Sequence, residues 1–267
     1  MKDIQGLHDS RRINIRKVGV KSISYPIIVL DRASATQQTL AQVNMYVNLP
    51  HRFKGTHMSR FIEILNRFHG RFNIRTCHLI LEEMKSRLEA ESAHLEIAFP
   101  FFLATGTGDQ EPGMVKYDCR LSGTLAQSLD LVVEVDIPIP LSVQTSPGQA
   151  PVLAGMWGDV TAAVRMKRFL WIEDLIALIC RETVPQITQS ETVESLCCRI
   201  GDVLRVTGSF HWYKIVVKNI ASGYARFASS VWPETVPDRA DRPDRTWYCE
   251  DIQENACLPY MKQPTTI

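Results

Sequence analysis

The spacing of hydrophobic residues changes several times along the chain, and each change predicts a secondary-structure element. Two early stretches are rich in β-branched and aromatic residues, which is typical of strands. Two later stretches repeat apolar residues at helical spacing, which is typical of amphipathic helices. The predicted order is strand, strand, helix, helix, strand, strand, over residues 18–30, 36–47, 58–68, 73–91, 93–103 and 114–124.

The same order recurs in the second part of the chain. Thr188 starts a predicted helix there, because Glu191 three residues later completes a capping-box pattern. The other elements are predicted over residues 129–143, 158–171, 172–181, 209–219 and 224–232. Two units of about 110 residues with one element order, but no visible sequence likeness, indicate a tandem repeat. The predicted fold class is therefore α+β.

These patterns divide the chain into four parts. They are an N-terminal arm, a first module, a second module and a C-terminal tail, over residues 1–17, 18–125, 126–232 and 233–267. The tail is rich in proline, aspartate and arginine, a composition that disfavours packing into a core. It is predicted either to be mobile or to dock through Trp247, Tyr248 and Leu258 onto a surface or a neighbouring subunit.

Composition narrows the class of protein. The chain has 267 residues, 45% of them hydrophobic, which is enough for a full core. A net charge of +1 gives no electrostatic case for nucleic acid or an anionic membrane as partner. No apolar stretch is long enough for a transmembrane helix or a signal peptide. Seven cysteines without framework spacing are expected to be reduced thiols, so the expected location is the cytoplasm.

One run of candidate chemistry precedes the first predicted helix. It reads Lys-Gly-Thr-His-Met-Ser-Arg-Phe over residues 54–61, with Thr56 as the predicted N-cap. Lys54, His57 and Arg60 surround a helix start, where unpaired backbone N–H groups favour anions. These groups are predicted either to bind phosphate or to hold the helix start and a subunit contact. Further positive charge lies upstream, at Arg11, Arg12, Lys17 and Lys21.

Potential metal ligands are scarce in the second half of the chain. Six of the seven histidines lie at or before His94, and only His211 follows. Cys197 and Cys198 are adjacent on a predicted helix, so their side chains point about 100° apart and make a poor chelate. Buried packing is the expected role of Cys197 and of Cys180.

Several segments resemble one family, the type IB GTP cyclohydrolases. The run over 54–61 is the most specific of them, and the others lie at 3–5, 9–13, 17–21, 25–27, 88–90, 99–102 and 172–176. The resemblance covers roughly residues 3–232 and is strongest before residue 105. It implies tandem tunnelling-fold modules, a homotetramer, active sites between subunits, and a Zn, Mn or Fe ion that activates water.

The chain departs from that family where the resemblance implies four metal ligands. The expected Cys-Pro-Cys loop reads Asp-Ile-Pro-Ile-Pro-Leu-Ser over residues 136–142, and Ala154 stands near the position of a histidine. The segment that carries a ligand glutamate is shortened after Ile179, and Tyr224 replaces the late histidine. No metal site and no cofactor are therefore predicted.

Part of the family's substrate site is nevertheless expected. The resemblance places Glu194 where the family's glutamate binds the guanine edge, because a carboxylate can accept two parallel hydrogen bonds. The alternative is a solvated acid in the first turn of a helix, where the helix dipole favours it.

Three functional hypotheses follow. The first is a divergent member with a purine- or pterin-type pocket, around Glu194 and a basic rim at Lys54, His57 and Arg60, that lacks metal-dependent GTP ring opening. The second is a repurposed, metal-independent enzyme on another heterocycle, with acid–base groups drawn from Tyr224, His211, Asp159 or a cysteine. The third is a non-catalytic subunit that assembles with an active cyclohydrolase.

Overall fold

The computed structural model describes residues 15–49, 57–68, 70–105, 113–143, 152–183, 191–221 and 223–234. These residues form nine strands and four helices, which confirms the predicted α+β class. The strands are β1 Ile15–Asp31, β2 Ala35–Leu49, β3 Arg71–Phe72, β4 Ser92–Thr105, β5 Gly113–Leu125, β6 Leu129–Val143, β7 Val152–Met166, β8 Phe210–Ala221 and β9 Tyr224–Trp232. The helices are α1 Met58–Arg67, α2 Ile74–Arg87, α3 Ile172–Thr183 and α4 Val193–Val206. No helix within these ranges is long and apolar enough to cross a bilayer.

The strands follow the order β3-β1-β2-β4-β5-β6-β7-β8-β9. The pairs β1–β2, β2–β4, β6–β7, β7–β8 and β8–β9 are antiparallel, and the short β3 pairs in parallel with β1. Apart from β3, each strand therefore lies beside its neighbours in sequence, although β2 and β4 are joined through α1 and α2, and β7 and β8 through α3 and α4. Strand β9 is left at one edge.

The chain divides into two compact units. Among the described residues, the first takes in those up to Pro100 together with Arg120–Val132, and the second takes in Phe101–Cys119 and residues 133–234. The module boundary placed between residues 125 and 126 from the sequence pattern stays a prediction.

The first unit has a core on one face of β1, β2 and β4. Alternate residues of β2 are fully buried, and the residues between them lie on the opposite, more polar face. Helices α1 and α2 complete this core with Phe61, Ile64, Ile80, Leu81 and Met84, all 0% exposed. The side chain of Leu81 reaches β5, where the Cβ of a substituted Gly123 would lie 2.9 Å from its methyl group.

The second unit repeats this arrangement with different side chains. Its sheet buries Val160 and Val164 of β7 and Ile215 and Val217 of β8. Helix α4 packs against β8 and β9, and the hydroxyl of Tyr213 donates a hydrogen bond of 2.8 Å to its backbone at the Gly201 carbonyl. The α4 side chains in this core are Val193, Leu196, Cys197, Ile200 and Leu204.

Three predicted boundaries are wrong. Helix α1 has His57 rather than Thr56 as its N-cap, and α4 starts after Thr192, whose hydroxyl accepts the Ser195 N–H at 3.2 Å. Strand β7 begins and ends several residues earlier than the predicted range 158–171. Thr56, Thr188, most of the arm and all of the tail beyond residue 234 lie outside the described residues.

Replacing Asn73 with alanine is expected to lower the free energy of unfolding by about 1 kcal/mol. The Asn73 side chain accepts the Thr76 N–H at 2.9 Å, and the Thr76 hydroxyl accepts the Asn73 N–H at 2.8 Å. This reciprocal pair satisfies two backbone donors at the start of α2. Urea midpoints would measure the loss. Ser86→Ala, at an exposed position of the same helix, is the control, and an equal loss there would contradict the capping role.

Candidate functional site

Four strand ends meet at one end of the sheet in the second unit. Strand β6 ends and β7 begins there, with Ser142 paired to Leu153 and Leu141 paired to Gly155. Strand β8 ends and β9 begins at the same end, with Ala221 paired to Tyr224. Because β6, β7, β8 and β9 are consecutive antiparallel strands, the turns at β6–β7 and β8–β9 lie on the same side.

This end of the sheet brings together backbone positions where the resemblance implied metal ligands. The segment 136–142, where the resemblance implied a ligand-bearing loop, is part of strand β6, as its apolar pattern predicted, and pairs with β7. A register shift between Leu141 and Ser142 lies opposite Ala154. Ala154 therefore lies next to Ser142 at the end of the segment 136–142. An alanine has no ligating atom, and a serine hydroxyl is not among the usual ligands of zinc.

The fit to a metal is poor in the rest of the described chain as well. The residues that the structure describes contain no group of three or more His, Cys, Asp and Glu side chains that could hold an ion. Tyr224 supplies a phenol where the resemblance implies a histidine. The residue types at this end of the sheet do not fit the Zn, Mn or Fe site that the resemblance implied.

A polar trio stands beside the same strand ends. Arg226 lies two residues after Tyr224 on β9, so both side chains point to the face on which α4 packs. The Arg226 Nη2 donates a hydrogen bond of 3.1 Å to the Tyr224 hydroxyl, and the guanidinium lies 5.7 Å from the centre of the ring. Tyr224 is 57% exposed, so this pair faces solvent in the single chain.

Glu194 completes the trio from the first turn of α4. The Tyr224 hydrogen bond, the Tyr224 charge and the Glu194 carboxylate all raise the pKa of Arg226. Within the described chain, neither a hydrogen bond nor an ion pair occupies the Glu194 carboxylate. Sequence reasoning predicted Glu194 and Tyr224 but missed Arg226. The available signal was its spacing of two from Tyr224 on a predicted strand.

The two other acid–base candidates do not join this trio. Asp159 forms an ion pair of 3.3 Å with Lys218 between β7 and β8. His211 is the second residue of the 12-residue strand β8, whereas Tyr224 lies beside the last residue of that strand. Burial, followed by the charge of Lys167, lowers the pKa of His211.

The predicted basic rim belongs to the first unit. His57 is the N-cap of α1 and its carbonyl accepts the Arg60 N–H at 3.1 Å, while the Arg60 side chain is exposed. Lys54 lies outside the described residues. Phosphate binding at this helix start stays a prediction.

Two cysteines of the second unit, Cys197 and Cys180, are poor nucleophiles. Burial raises the pKa of Cys197 to about 11, which confirms its predicted place in the core. Cys180 is half-buried, and burial raises its pKa as well. A thiol with a raised pKa carries little thiolate at neutral pH.

Comparison with known proteins identifies relatives over most of the chain. Residues 1–190 match the family described as type I GTP cyclohydrolase FolE2. The GTP cyclohydrolase FolE2 of Syntrophus aciditrophicus is 42% identical over 241 residues, covering 87% of this chain and 91% of the relative. The protein of the same name from Syntrophobacter fumaroxidans is 43% identical over 248 residues, covering 83% and 95%.

Solved structures show the fold by a separate route. The uricase from Arthrobacter globiformis has a TM-score of 0.57 at 9% identity and covers 88% of this chain and 98% of its own. A uricase from Bacillus fastidious has a TM-score of 0.55 at 8% identity and covers 81% and 93%. At such low identity the likeness concerns the fold alone, and it confirms the predicted tunnelling fold.

Proposed function

Since this chain belongs to the type I GTP cyclohydrolase FolE2 family, we propose that it binds a purine- or pterin-like ring but does not open GTP by metal-dependent hydrolysis. One observation carries this proposal. The paired ends of β6 and β7 bring the end of the segment 136–142, where the resemblance implies a cysteine ligand, next to Ala154, which stands near the implied histidine position.

The loss of ligands bears directly on the chemistry. A bound metal supplies a water that ionises near neutral pH, which attack on a purine ring requires. A zinc site needs about three protein ligands, and thiolate, imidazole and carboxylate are the groups that provide them. The segment 136–142 contains no cysteine, and alanine and tyrosine stand at Ala154 and Tyr224 where the resemblance implies histidines, so we infer that no such water is generated at this site.

Ring recognition rests on Glu194. Its carboxylate can accept two parallel N–H bonds from the amidine-like edge of a guanine or pterin. The N-terminus of α4 stabilises the negative charge, because the helix dipole is positive there. Arg226 adds a positive charge beside it and Tyr224 adds a hydroxyl, so the trio offers both an acceptor and donors to a polar heterocycle.

Replacing Glu194 with glutamine is expected to weaken binding of pterin at least about tenfold, because a charge-assisted hydrogen bond contributes about 1.5–3 kcal/mol. Pterin is fluorescent, so a titration of its emission measures the dissociation constant directly. Asp202→Asn, an exposed change of equal charge on the same helix, is the control and should leave the constant unchanged. Equal affinity of the wild-type chain and Glu194→Gln would count against the pocket.

An assembly hypothesis draws on the edge strand β9. Its side chains are largely exposed, with Phe227 at 70%, and an uncovered edge strand can pair with a strand of another chain. We therefore propose a homotetramer, and co-assembly with an active cyclohydrolase is the alternative that the same edge supports. Light scattering of the purified chain measures its oligomeric mass and tests the homotetramer. Co-purification with a tagged FolE2 relative tests the co-assembly. A cytoplasmic location is part of this proposal.

A further inference from the structure

Two irregularities in β1 lie close together in the first unit. The β1–β2 register shifts once between Ile15 and Val18 and again between Val20 and Ile23. At each shift two residues of β1 face one residue of β2, and each of these pairs contains a lysine, Lys17 or Lys21. Such bulges redirect side chains and are frequent next to functional sites.

Between the bulges the two backbones approach each other closely. Gly19 lies directly opposite Tyr46, and a Cβ at Gly19 would lie 1.8 Å from the Met45 carbonyl oxygen. No residue with a side chain fits this approach without moving β1. The glycine therefore permits this close approach of β1 to β2 between the two lysines.

A hydrogen-bond network holds the second bulge. Ser22 has a φ of +57°, which is uncommon for a residue other than glycine and costs free energy. Its N–H donates to the Asn44 side chain at 2.8 Å, and the Asn44 amide donates to Glu96 at 2.9 Å. The Tyr46 hydroxyl donates to the same Glu96 oxygen at 3.4 Å.

The result is a concentration of positive charge over one ring. The ammonium of Lys17 lies 4.0 Å from the centre of the Tyr46 ring and that of Lys21 lies 5.5 Å from it. In the described part of the chain, no carboxylate forms an ion pair with either ammonium. Glu96 carries the one negative charge of the network, so two ammonium groups outnumber it.

The neighbouring histidine, His94, is neutral and leaves the charge of the cluster unchanged. His94 lies opposite Tyr46 on β4, and its Nδ1 is 3.0 Å from the Thr124 hydroxyl. Burial, and then the charge of Lys17, lowers the pKa of His94, which keeps the imidazole neutral near pH 7. The cluster thus has a net positive charge and polar groups around it.

We propose that Lys17 and Lys21, held above Tyr46 by the two bulges of β1, bind a phosphoryl group. The two ammonium groups act as compact point charges with several N–H donors, which is how lysine binds phosphate. The positive φ at Ser22, the close backbone approach at Gly19 and the Asn44–Glu96 hydrogen bond adjoin the two lysines along β1 and β2. This site is in the first unit and does not depend on Glu194.

Calorimetric titration of the full chain with tripolyphosphate and with inorganic phosphate tests the site. The double variant K17M/K21M is expected to bind tripolyphosphate at least about tenfold more weakly, because charge-assisted contacts are lost. K116M/K214M removes the same charge from exposed positions elsewhere and should leave the affinity within about twofold. K17R/K21R keeps the charge and should retain most of the binding.

The result has two supporting outcomes and two that overturn the inference. A GTP titration that weakens in parallel with tripolyphosphate assigns the site to nucleotide phosphates, whereas unchanged GTP affinity assigns it to free phosphate. Wild-type affinity in K17M/K21M, or an equal loss in K116M/K214M, overturns the site. Circular dichroism melts establish that the variants are folded, and the single variant K21M serves if the double variant is not. Glu194→Gln should leave tripolyphosphate binding unchanged. The phosphate site is therefore tested independently of the proposed ring pocket at Glu194.

Discussion

Purified protein incubated with GTP and Mn²⁺ or Zn²⁺ is expected to release formate at less than about one ten-thousandth of the rate of a metal-dependent relative. The reason is the missing nucleophile, because a bound metal lowers the pKa of water from about 15.7 to about 7. Ser142, Ala154 and Tyr224 supply no thiolate, imidazole or carboxylate to hold such a metal. Formate and neopterin triphosphate are the two products to quantify.

The Syntrophus aciditrophicus relative, assayed in parallel, is the positive control, since it is 42% identical over 241 residues. Metal analysis of this chain, purified without added metal, gives a second readout that does not depend on the substrate. Turnover that EDTA abolishes and Mn²⁺ restores would disprove the proposed loss of metal chemistry. A stoichiometric transition metal in the purified protein would disprove it as well.

Replacing Ile80 with alanine is expected to lower the free energy of unfolding by about 3 kcal/mol. Ile80 is 0% exposed in the core of the first unit, so the change removes buried hydrocarbon and leaves a cavity. For a chain of this size the loss corresponds to a decrease in melting temperature of roughly 6–12 °C. Thermal and urea unfolding, followed by far-ultraviolet circular dichroism, measure both quantities.

The adjacent residue provides a matched control. Leu79 lies on the same turn of α2 and is 41% exposed, so Leu79→Ala removes a side chain of similar size that is much less buried. Its expected cost is less than about 1 kcal/mol, because much of that side chain already contacts water. Similar losses for both variants would contradict the assigned packing of α2.

Helices and long strands could be predicted from the sequence because the spacing of their apolar residues repeats within a few positions along the chain. Of the apolar residues predicted at helical spacing in α1 and α2, Phe61, Leu65 and Leu81 are buried as expected. Met58 and Ile62 of the same α1 stripe are instead exposed, at 41% and 37%. Helix starts were less predictable. Thr188 is followed three residues later by Glu191, and Thr192 by Ser195, so the sequence offers two possible N-caps. Only the folded chain shows that Thr192 caps α4. Strand β3, with two residues, is too short to give a pattern.

The site depends on register, which a single sequence does not encode visibly. The contact between Arg226 and Tyr224 could have been predicted from the sequence, because the two residues lie on the same face of a predicted strand. The bulges around Lys17 and Lys21 were not, since they require the pairing of β1 with β2. The predicted start of β7 at Gly158 is six residues late, because Gly155 interrupts the apolar pattern before it. Gly158 is needed there, since a Cβ would lie 1.8 Å from the Lys218 carbonyl oxygen.

The paired ends of β6 and β7 also have an evolutionary consequence. A single substitution at Ser142 or Ala154 would create one ligand at a time, whereas a zinc ion needs about three side chains together. Variants with one restored ligand would gain no advantage on which selection could act. The proposed loss of the metal site could therefore occur one substitution at a time, whereas its reversal would require several coordinated changes in one lineage.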